Sequence, residues 1–497
     1  MGQNNILICI MISSKIPTQI NDSVKKLTEN GFEAYLVGGC VRDLILNRNP
    51  KDWDLTTNAK PEEIMALFPE HVYENNFGTV GIKTNSENPA LKIIEITPYR
   101  IESRYSNSRH PDKIQFGDSL NKDLQRRDFT MNAIAYDLFK GQIVDPYGGQ
   151  KDIKDMTIRT VGNPNERFAE DSLRMLRAIR FAAELGFTID IETMCALSNN
   201  IKLMENVSRE RIKEEFTKII MSDNPMIALN MAERLGVLSY ISPIFEKMIG
   251  VKQNKDAHKY DVWEHSLRTL QYASDKGYEL ETRLAALFHD IAKPETKREQ
   301  SGKTTFYGHE VIGSRIARET LRNLTYSNEI VEKVSKLVRW HMFFSDTEEI
   351  TLSAVRRLIM RVGKENIWDL INLRKCDRIG TGRPKEQPYR LRKFQSMIDE
   401  VMRDPISVKM LKLNGKIMLN ELHMKPGPKI GHILHALLEE VLDDPTKNNL
   451  KYQKERALEL EKFNEKDLIE LGARARESKE RAEERELAEI KQNRFVK

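Results

Sequence analysis

The chain has 497 residues, too many for one domain at about 150 residues each. It is 40% hydrophobic and 31% charged, which supports packed cores under a well-solvated surface and excludes a collagen-like, disulfide-stapled or wholly disordered protein. The 79 basic residues nearly balance the 74 acidic ones, and a net charge of +5 does not by itself mark a nucleic-acid binder, so any basic face must come from local clustering.

The four cysteines, Cys9, Cys40, Cys195 and Cys376, form no CxxC pair and no zinc spacing, which fits a reducing compartment. The apolar run Ile6 to Ile12 is far shorter than the about 20 residues a bilayer span needs. No basic residue precedes it and no small-residue cleavage site follows, so it is a poor signal peptide. A strand or a disordered start is expected there, and Met11 is an alternative first residue. The chain reads as cytoplasmic, with no membrane segment.

In chain order, Asn21–Asn30 has a helical pattern and Ala34–Val37 is a short strand ending in Gly38-Gly39. A helix restarts over Val41–Leu46, and Asp52–Thr56 and Lys92–Thr97 alternate as strands. The polar stretch from Arg100 to Gln125 is expected to be a long loop. From about Glu166 to Pro243 the pattern is purely helical, with one 3.6 period over Glu166–Leu185 and another over Ser208–Met221. Gly250 to about Pro384 is helical again and holds five of the ten histidines. Tyr452 to Lys497 is nearly all Glu, Lys, Arg, Ala and Leu, and is expected to form one or two exposed helices.

Gly38-Gly39-Cys40-Val41-Arg42-Asp43 sits at a strand-to-helix turn. Paired glycines let a backbone approach phosphate, the helix start offers free N–H groups, and Arg42 adds a bidentate donor. Alone this is a weak signal, since many tight turns are Gly-Gly. Asp52 and Asp54, two apart on a strand, share a face about 7 Å apart along the backbone. Two like charges so close favour a cation, and oxygen-only ligation suits Mg²⁺. Glu95, alternating with Ile94 and Ile96, is a third candidate carboxylate. The plain alternative is a set of exposed acids on strand faces. Together these features point to nucleotidyl transfer by two metal ions, with Asp52, Asp54 and Glu95 catalytic.

VGGCVRDLIL followed by KDWDLTT resembles the head domain of class II tRNA nucleotidyltransferases and bacterial poly(A) polymerases, within the polymerase-beta-like superfamily. Further motifs occur in that family's order over about residues 30 to 220. Arg126-Arg127-Asp128-Phe129-Thr130-Met131-Asn132-Ala133 is similar to its ribose-selecting motif. Asp145-Pro146-Tyr147-Gly148-Gly149 with Asp152-Ile153 is similar to its hinge-like motif. Glu170-Asp171-Ser172-Leu173-Arg174 with Arg177 and Arg180 resembles its nucleobase-reading helix, and Ser208-Arg209-Glu210-Arg211-Ile212 the helix beyond. The resemblance implies nucleotide binding by Gly38, Gly39, Arg42, Arg127, Asp128, Asn132, Asp171, Arg174, Arg177 and Arg180. It also implies an α+β fold, a small head with a mixed sheet followed by an all-α neck, body and tail.

The base-reading motif has its own chemistry. Asp171 and Arg174, at i and i+3 on a helix, are neighbours, one accepting hydrogen bonds and the other donating them. Cytosine and adenine present an amino donor beside a ring-nitrogen acceptor, and guanine and uracil present the reverse. Nine residues at about 100° each put Arg180 about 180° from Asp171, which favours phosphate or structural contacts for it. Arg177 stays open between the two. The plain alternative for the helix is a surface stripe of ion pairs. RHPD, at Arg109 to Asp112, and the Asp-Leu before RRDFT resemble the CCA-adding arm, with Lys122 standing where that arm often has an acid.

His265, His289-Asp290 and Asp377 occur as an ordered His…His-Asp…Asp set, with His309 and His341 between them. The set resembles the HD phosphohydrolase superfamily over about residues 255 to 385. It implies a divalent metal on His265, His289, Asp290 and Asp377; the alternatives are core histidines or a domain that only supports RNA.

The expected segments are 1–24 an N-terminal extension, 25–160 the nucleotidyltransferase head, 161–250 the neck, 251–390 the HD domain and 391–497 the helical tail. The expected enzyme adds C, C and A to tRNA 3′ ends from CTP and ATP without a template, using Mg²⁺ and gripping the acceptor arm by shape and backbone. The alternatives are poly(A), CC-only or A-only addition, or an HD phosphohydrolase whose head merely binds RNA. The intact Asp52/Asp54 pair argues against the last.

Overall fold

A computed structural model describes residues 3–74, 78–102, 114–253, 259–300, 303–343, 350–402, 408–464 and 467–468. The chain divides into two compact units, Met1–Glu246 and Lys247–Lys497.

The first unit is built on a seven-stranded sheet of order β3-β4-β5-β2-β1-β8-β9. The strands are β1 (Ala34–Val37), β2 (Asp54–Thr57), β3 (His71–Glu74), β4 (Thr79–Lys83), β5 (Ile93–Pro98), β8 (Ala135–Asp137) and β9 (Gln142–Val144). The β2–β5 pair is parallel and the other pairs are antiparallel, so the sheet is mixed, as expected. The helix Thr18–Glu29 buries Ile20, Val24 and Leu27, spaced to share one face. They join Leu36, Leu55, Ile94 and Ile96 in the main core.

Three expectations are corrected here. The apolar run at the start is a helix, Gln3–Lys15, and not a strand. Short apolar runs do not distinguish the two, and this one continues through Ser13 to Lys15 to a length strands rarely reach. Ile12 is fully buried, and the Ser13 hydroxyl lies 2.6 Å from that of Tyr136. The polar stretch after Arg100 is not a plain loop: β6 (Arg100–Glu102) pairs antiparallel with β7 (Ile114–Phe116), and Leu120–Gln125 is helical. Residues 103–113, including Arg109 to Asp112, lie outside the described residues. The single helix expected over Glu166–Leu185 is two, Pro164–Glu170 and Leu173–Leu185. Asp171 breaks them with an extended backbone, φ −147° and ψ 100°, and its carboxylate accepts from the Leu173 N–H at 3.2 Å. Such a local bond offers the backbone an alternative to the helix, and one non-helical residue barely disturbs the apolar period.

Among its described residues the second unit is helical apart from a hairpin, Arg298–Gln300 with Lys303–Thr305. The helices Val262–Asp275 and Ile367–Gly380 cross closely at Gly380, where an added Cβ would lie 2.1 Å from Thr269 Oγ1 and 3.1 Å from the His265 carbonyl oxygen. That approach brings His265 to Asp377. A separate core forms between Pro428–Asp443 and Leu450–Glu461. The start of the charged tail is therefore not wholly exposed, because Gln453, Ala457 and Leu460 are buried. Residues from 469 onward lie outside the described residues.

Candidate active site

In the first unit, β1 ends at Val37 and is followed by Gly38, whose φ of 81° favours glycine. A Cβ there would lie 3.0 Å from Arg127 Nη1 and 3.6 Å from Asp54 Oδ2. One on Gly39 would lie 3.6 Å from Arg42 Nη2 and 3.9 Å from Asp52 Oδ1. The glycine turn, both aspartates and two arginines thus converge. Asp54 opens β2, whereas Asp52 lies two residues before that strand, a correction to the expected span. Glu95 is exposed between buried Ile94 and Ile96, as its alternation implies, and is the register partner of Asp54. Burial, then the Asp52 and Glu95 charges, push the Asp54 carboxyl up to about 7, against the pull of Arg127. Three carboxylates gathered beside the turn are oxygen donors of the kind a hard divalent cation takes.

Behind this turn runs a series of bonded side chains. Arg42 is only 9% exposed and donates to Asn132 Oδ1 at 2.9 Å and to Asp43 at 2.8 Å. Asn132 donates to Asp128 at 3.1 Å, and Arg177 grips Asp128 Oδ2 at 2.9 and 2.7 Å. Arg177 also reaches Glu215 at 3.5 Å, and Glu215 pairs with Arg180 at 2.7 Å. Arg180 ends the series on Glu184 at 2.8 Å. Burial raises Asp128, but Arg177 and Asn132 hold it down at about 2.

Asp171 and Arg174 are not two positions of one helix, since Asp171 lies in the break. The Asp171 carboxylate is clamped by Arg211 at 3.0 and 2.8 Å. Arg174 donates to the Arg167 carbonyl, to Glu170 and to the Arg126 carbonyl at 3.1, 2.8 and 3.0 Å.

The second unit brings its six histidines and acids together. Asp290 Oδ2 lies 3.3 Å from His265 Nε2 and 3.2 Å from His289 Nε2. Its Oδ1 lies 3.3 Å from His309 Nε2 and 3.8 Å from His341 Nε2. Asp377 Oδ1 is 3.3 Å from His265 and 3.8 Å from His289. The Nδ1 atoms of His289, His309 and His341 face the carbonyls of Ala286, Phe306 and Val338 at 2.9, 2.7 and 2.7 Å. A carbonyl only accepts, so each Nδ1 carries the hydrogen and each Nε2 is turned inward towards Asp290, where it could ligate a metal. His265–His289–Asp290 and Asp290–His309–His341 each form a buried group of metal-ligand geometry. Despite burial, Asp290 and Asp377 are held well below the usual carboxylate range, chiefly by His289 and Lys293 and by His265 and Arg374 respectively. Burial and the neighbouring His309 and His289 hold His341 neutral. Burial opposes a charge on His265, yet its bonds to Asp290 and Asp377 raise it to about 9, so a bound cation competes with a proton there.

Residues 34–159 match the family model of the poly A polymerase head domain, 186–249 that of the probable RNA and SrmB-binding site of polymerase A, and 262–379 that of the HD domain. A CCA-adding enzyme of Geobacillus sp. is 44% identical over 225 residues, which span 45% of this chain and 54% of that protein. The CCA-adding enzyme of Lactobacillus helveticus is 30% identical over 431 residues, 86% of this chain and 93% of its own length. The chain belongs to the CCA-adding enzyme family. Its fold agrees with the crystal structure of the Bacillus stearothermophilus CCA-adding enzyme in complex with CTP, with a TM-score of 0.67 and 26% identity over 90% of this chain and 98% of that one. As a member of that family the chain is a nucleotidyltransferase.

In this CCA-adding family member, sequence reasoning missed three side chains, two in the first unit and one in the second. Asp123, fully buried, holds Arg126 at 2.7 Å and Arg127 at 3.2 Å and so aims Arg127 at the turn. It is the Asp of the Asp-Leu before RRDFT, which was a usable signal. Arg211 stands in a quoted motif, but nothing in the spacing shows that it meets Asp171. Lys293, 2.6 Å from Asp290, sits one turn after it, where its charge is legible and its contact is not. Among the described helices, none is long and apolar enough to cross a membrane.

Proposed function

We propose that this chain adds C, C and A to the 3′ end of tRNA from CTP and ATP, in the cytoplasm and without a nucleic-acid template. The observation that carries this is the convergence of Asp52, Asp54 and the glycine turn in a chain alignable with CCA-adding enzymes over nearly their full length. Asp52 and Asp54, with Glu95 beside them, would hold the Mg²⁺ ions of a two-metal centre. These would supply a lowered pKa for the attacking 3′-hydroxyl and charge neutralisation at the α-phosphate. Gly38 and Gly39 leave room for the triphosphate, and Arg127 reaches it from the Asp123 clamp. Asp171 accepts from the amino group of C or A, and Arg174 donates to the adjacent ring nitrogen. Arg42, Asp128, Asn132, Arg177 and Arg180 hold these groups in place around the nucleotide. The chemistry belongs to residues 25–160 and base reading to 161–250. The stretch resembling an RNA-binding region supports contact with the acceptor arm.

Incubation with tRNA lacking its 3′ end, CTP, ATP and Mg²⁺ tests this. Addition of three nucleotides in the order C, C, A is expected. A run of A, or C alone, or A alone, replaces the assignment with one of the related specificities, and no addition removes it.

A second reading belongs to residues 251–390. Five buried ligands in two groups that share Asp290, with Asp377 Oδ1 3.3 Å from His265, support divalent metal binding and hydrolysis of phosphoesters there. Metal analysis of the purified chain, followed by a phosphoester assay with Mn²⁺, Ni²⁺ or Mg²⁺, tests it, and a chain that binds no metal at this site removes it.

A further inference from the structure

The clamp on Asp171 restricts what that residue can recognise. An ionised carboxylate has two oxygens and about four lone-pair sites. Asp171 Oδ1 already accepts twice, from Arg211 Nη1 at 3.0 Å and from the Leu173 N–H at 3.2 Å. Oδ2 accepts once, from Arg211 Nη2 at 2.8 Å. One site on Oδ2 is left. Arg174 is matched to it. Its Nη1 gives both hydrogens to the Arg167 carbonyl and Glu170, and its Nη2 gives one to the Arg126 carbonyl. What remains is the Nε–H and a single Nη2–H, on a side chain only 8% exposed. The clamp stays reachable, with Arg211 and Asp171 side chains 28% and 22% exposed.

We infer that Arg211 is a specificity-determining positioning residue: its two-point grip uses up the surplus acceptors of Asp171 and fixes the last one for a single amino group. This rests on the reading of Asp171 and Arg174 as the base-reading pair. A free Asp171 could rotate, accept from the ring N–H of uracil or guanine, and relax the choice. The helix Arg209–Met221 thus acts on selection from 40 residues away without touching the base. A lysine in place of Arg211 keeps the charge but not the planar fork, so it cannot fix both oxygens.

The test compares CTP with 2-pyrimidinone riboside triphosphate, which lacks the amino group, in single-turnover addition to tRNA without its 3′ end. The wild-type chain should favour CTP by about tenfold to a hundredfold, the range for one unmade hydrogen bond in a partly dry site. In Arg211→Lys and Arg211→Gln that ratio should fall toward one while UTP incorporation rises. Thermal unfolding of both variants identifies any that fail to fold, and a merely structural role would slow all nucleotides alike with the ratio intact. A ratio kept at the wild-type value in a folded variant overturns the inference alone. A ratio near one in the wild-type chain overturns the base-reading role of Asp171, and the inference with it.

Discussion

Asp54 and Glu95 are register partners across β2 and β5, the parallel pair of the sheet. Parallel register puts both carboxylates on the same face at the same level, and Asp52 adds a third from the approach to β2. Asp52→Ala or Asp54→Ala should abolish nucleotide addition with little loss of fold, because each removes a carboxylate proposed to hold the metal. Single-turnover addition beside thermal unfolding checks this, and near wild-type rates in either variant would sink the two-metal mechanism.

The same crowding has a stability consequence in metal-free protein. Asp54 is raised from 3.8 to about 7, so the folded state holds a proton that the unfolded state releases. Its stabilising contribution is complete below about pH 4 and is lost as pH rises through about 7. With chelator present, Asp54→Asn should therefore be more heat-resistant than wild type at pH 8 and little different at pH 4. Scanning calorimetry at the two pH values reads the difference directly.

Asp128 works in the opposite direction. Held down at about 2, it contributes stability that is present above the unfolded value and lost as pH falls through about 2. The melting temperature of the wild-type chain should drop steeply between about pH 4 and 2, and Asp128→Asn should flatten that part of the curve. Equal slopes in the two proteins would show that Arg177 does not hold Asp128 as described.

For base choice, Asp171→Ala should lose about 1–3 kcal/mol against C and A, more than against U and G, so selectivity falls with activity. Arg180→Ala should slow the enzyme without relaxing selection, since Arg180 is spent on Glu215 and Glu184. Addition of all four nucleotides at each stage separates the two. An Asp171→Ala enzyme that excludes UTP and GTP as well as wild type ends the base-reading role.

His289→Ala combined with Asp290→Ala should remove metal from the second unit, and with it any phosphoesterase activity, while CCA addition stays largely intact. The two sites lie in separate compact units, so their effects should add. Loss of CCA addition in a folded double variant contradicts that independence.

Much of this was legible in the sequence where residue type and local period agree. Glu95 between Ile94 and Ile96 announced both a strand and the face its acid takes, and the ordered histidines announced a shared site. The break at Asp171 was not legible, because one extended residue between two in-phase helical runs leaves the hydrophobic pattern nearly unchanged. Ile6 to Ile12 misled for the opposite reason: its composition suits a strand, and the burial of Ile12 beside the sheet decides for a helix. Contacts made across long sequence separations, such as Arg211 with Asp171 or Thr56 with Asp123, leave no periodic trace.

The bonded series from Arg42 through Asn132, Asp128, Arg177 and Glu215 to Arg180 crosses the expected boundary near residue 160 between head and neck. A chimera joined there would pair an Asp128 from one parent with an Arg177 from another, and every mismatch along the series would leave a buried charge unanswered. A chimera joined between Glu246 and Lys247 keeps the series whole. Head and neck are thus one exchangeable cassette, and parts transplanted between relatives should travel as that pair.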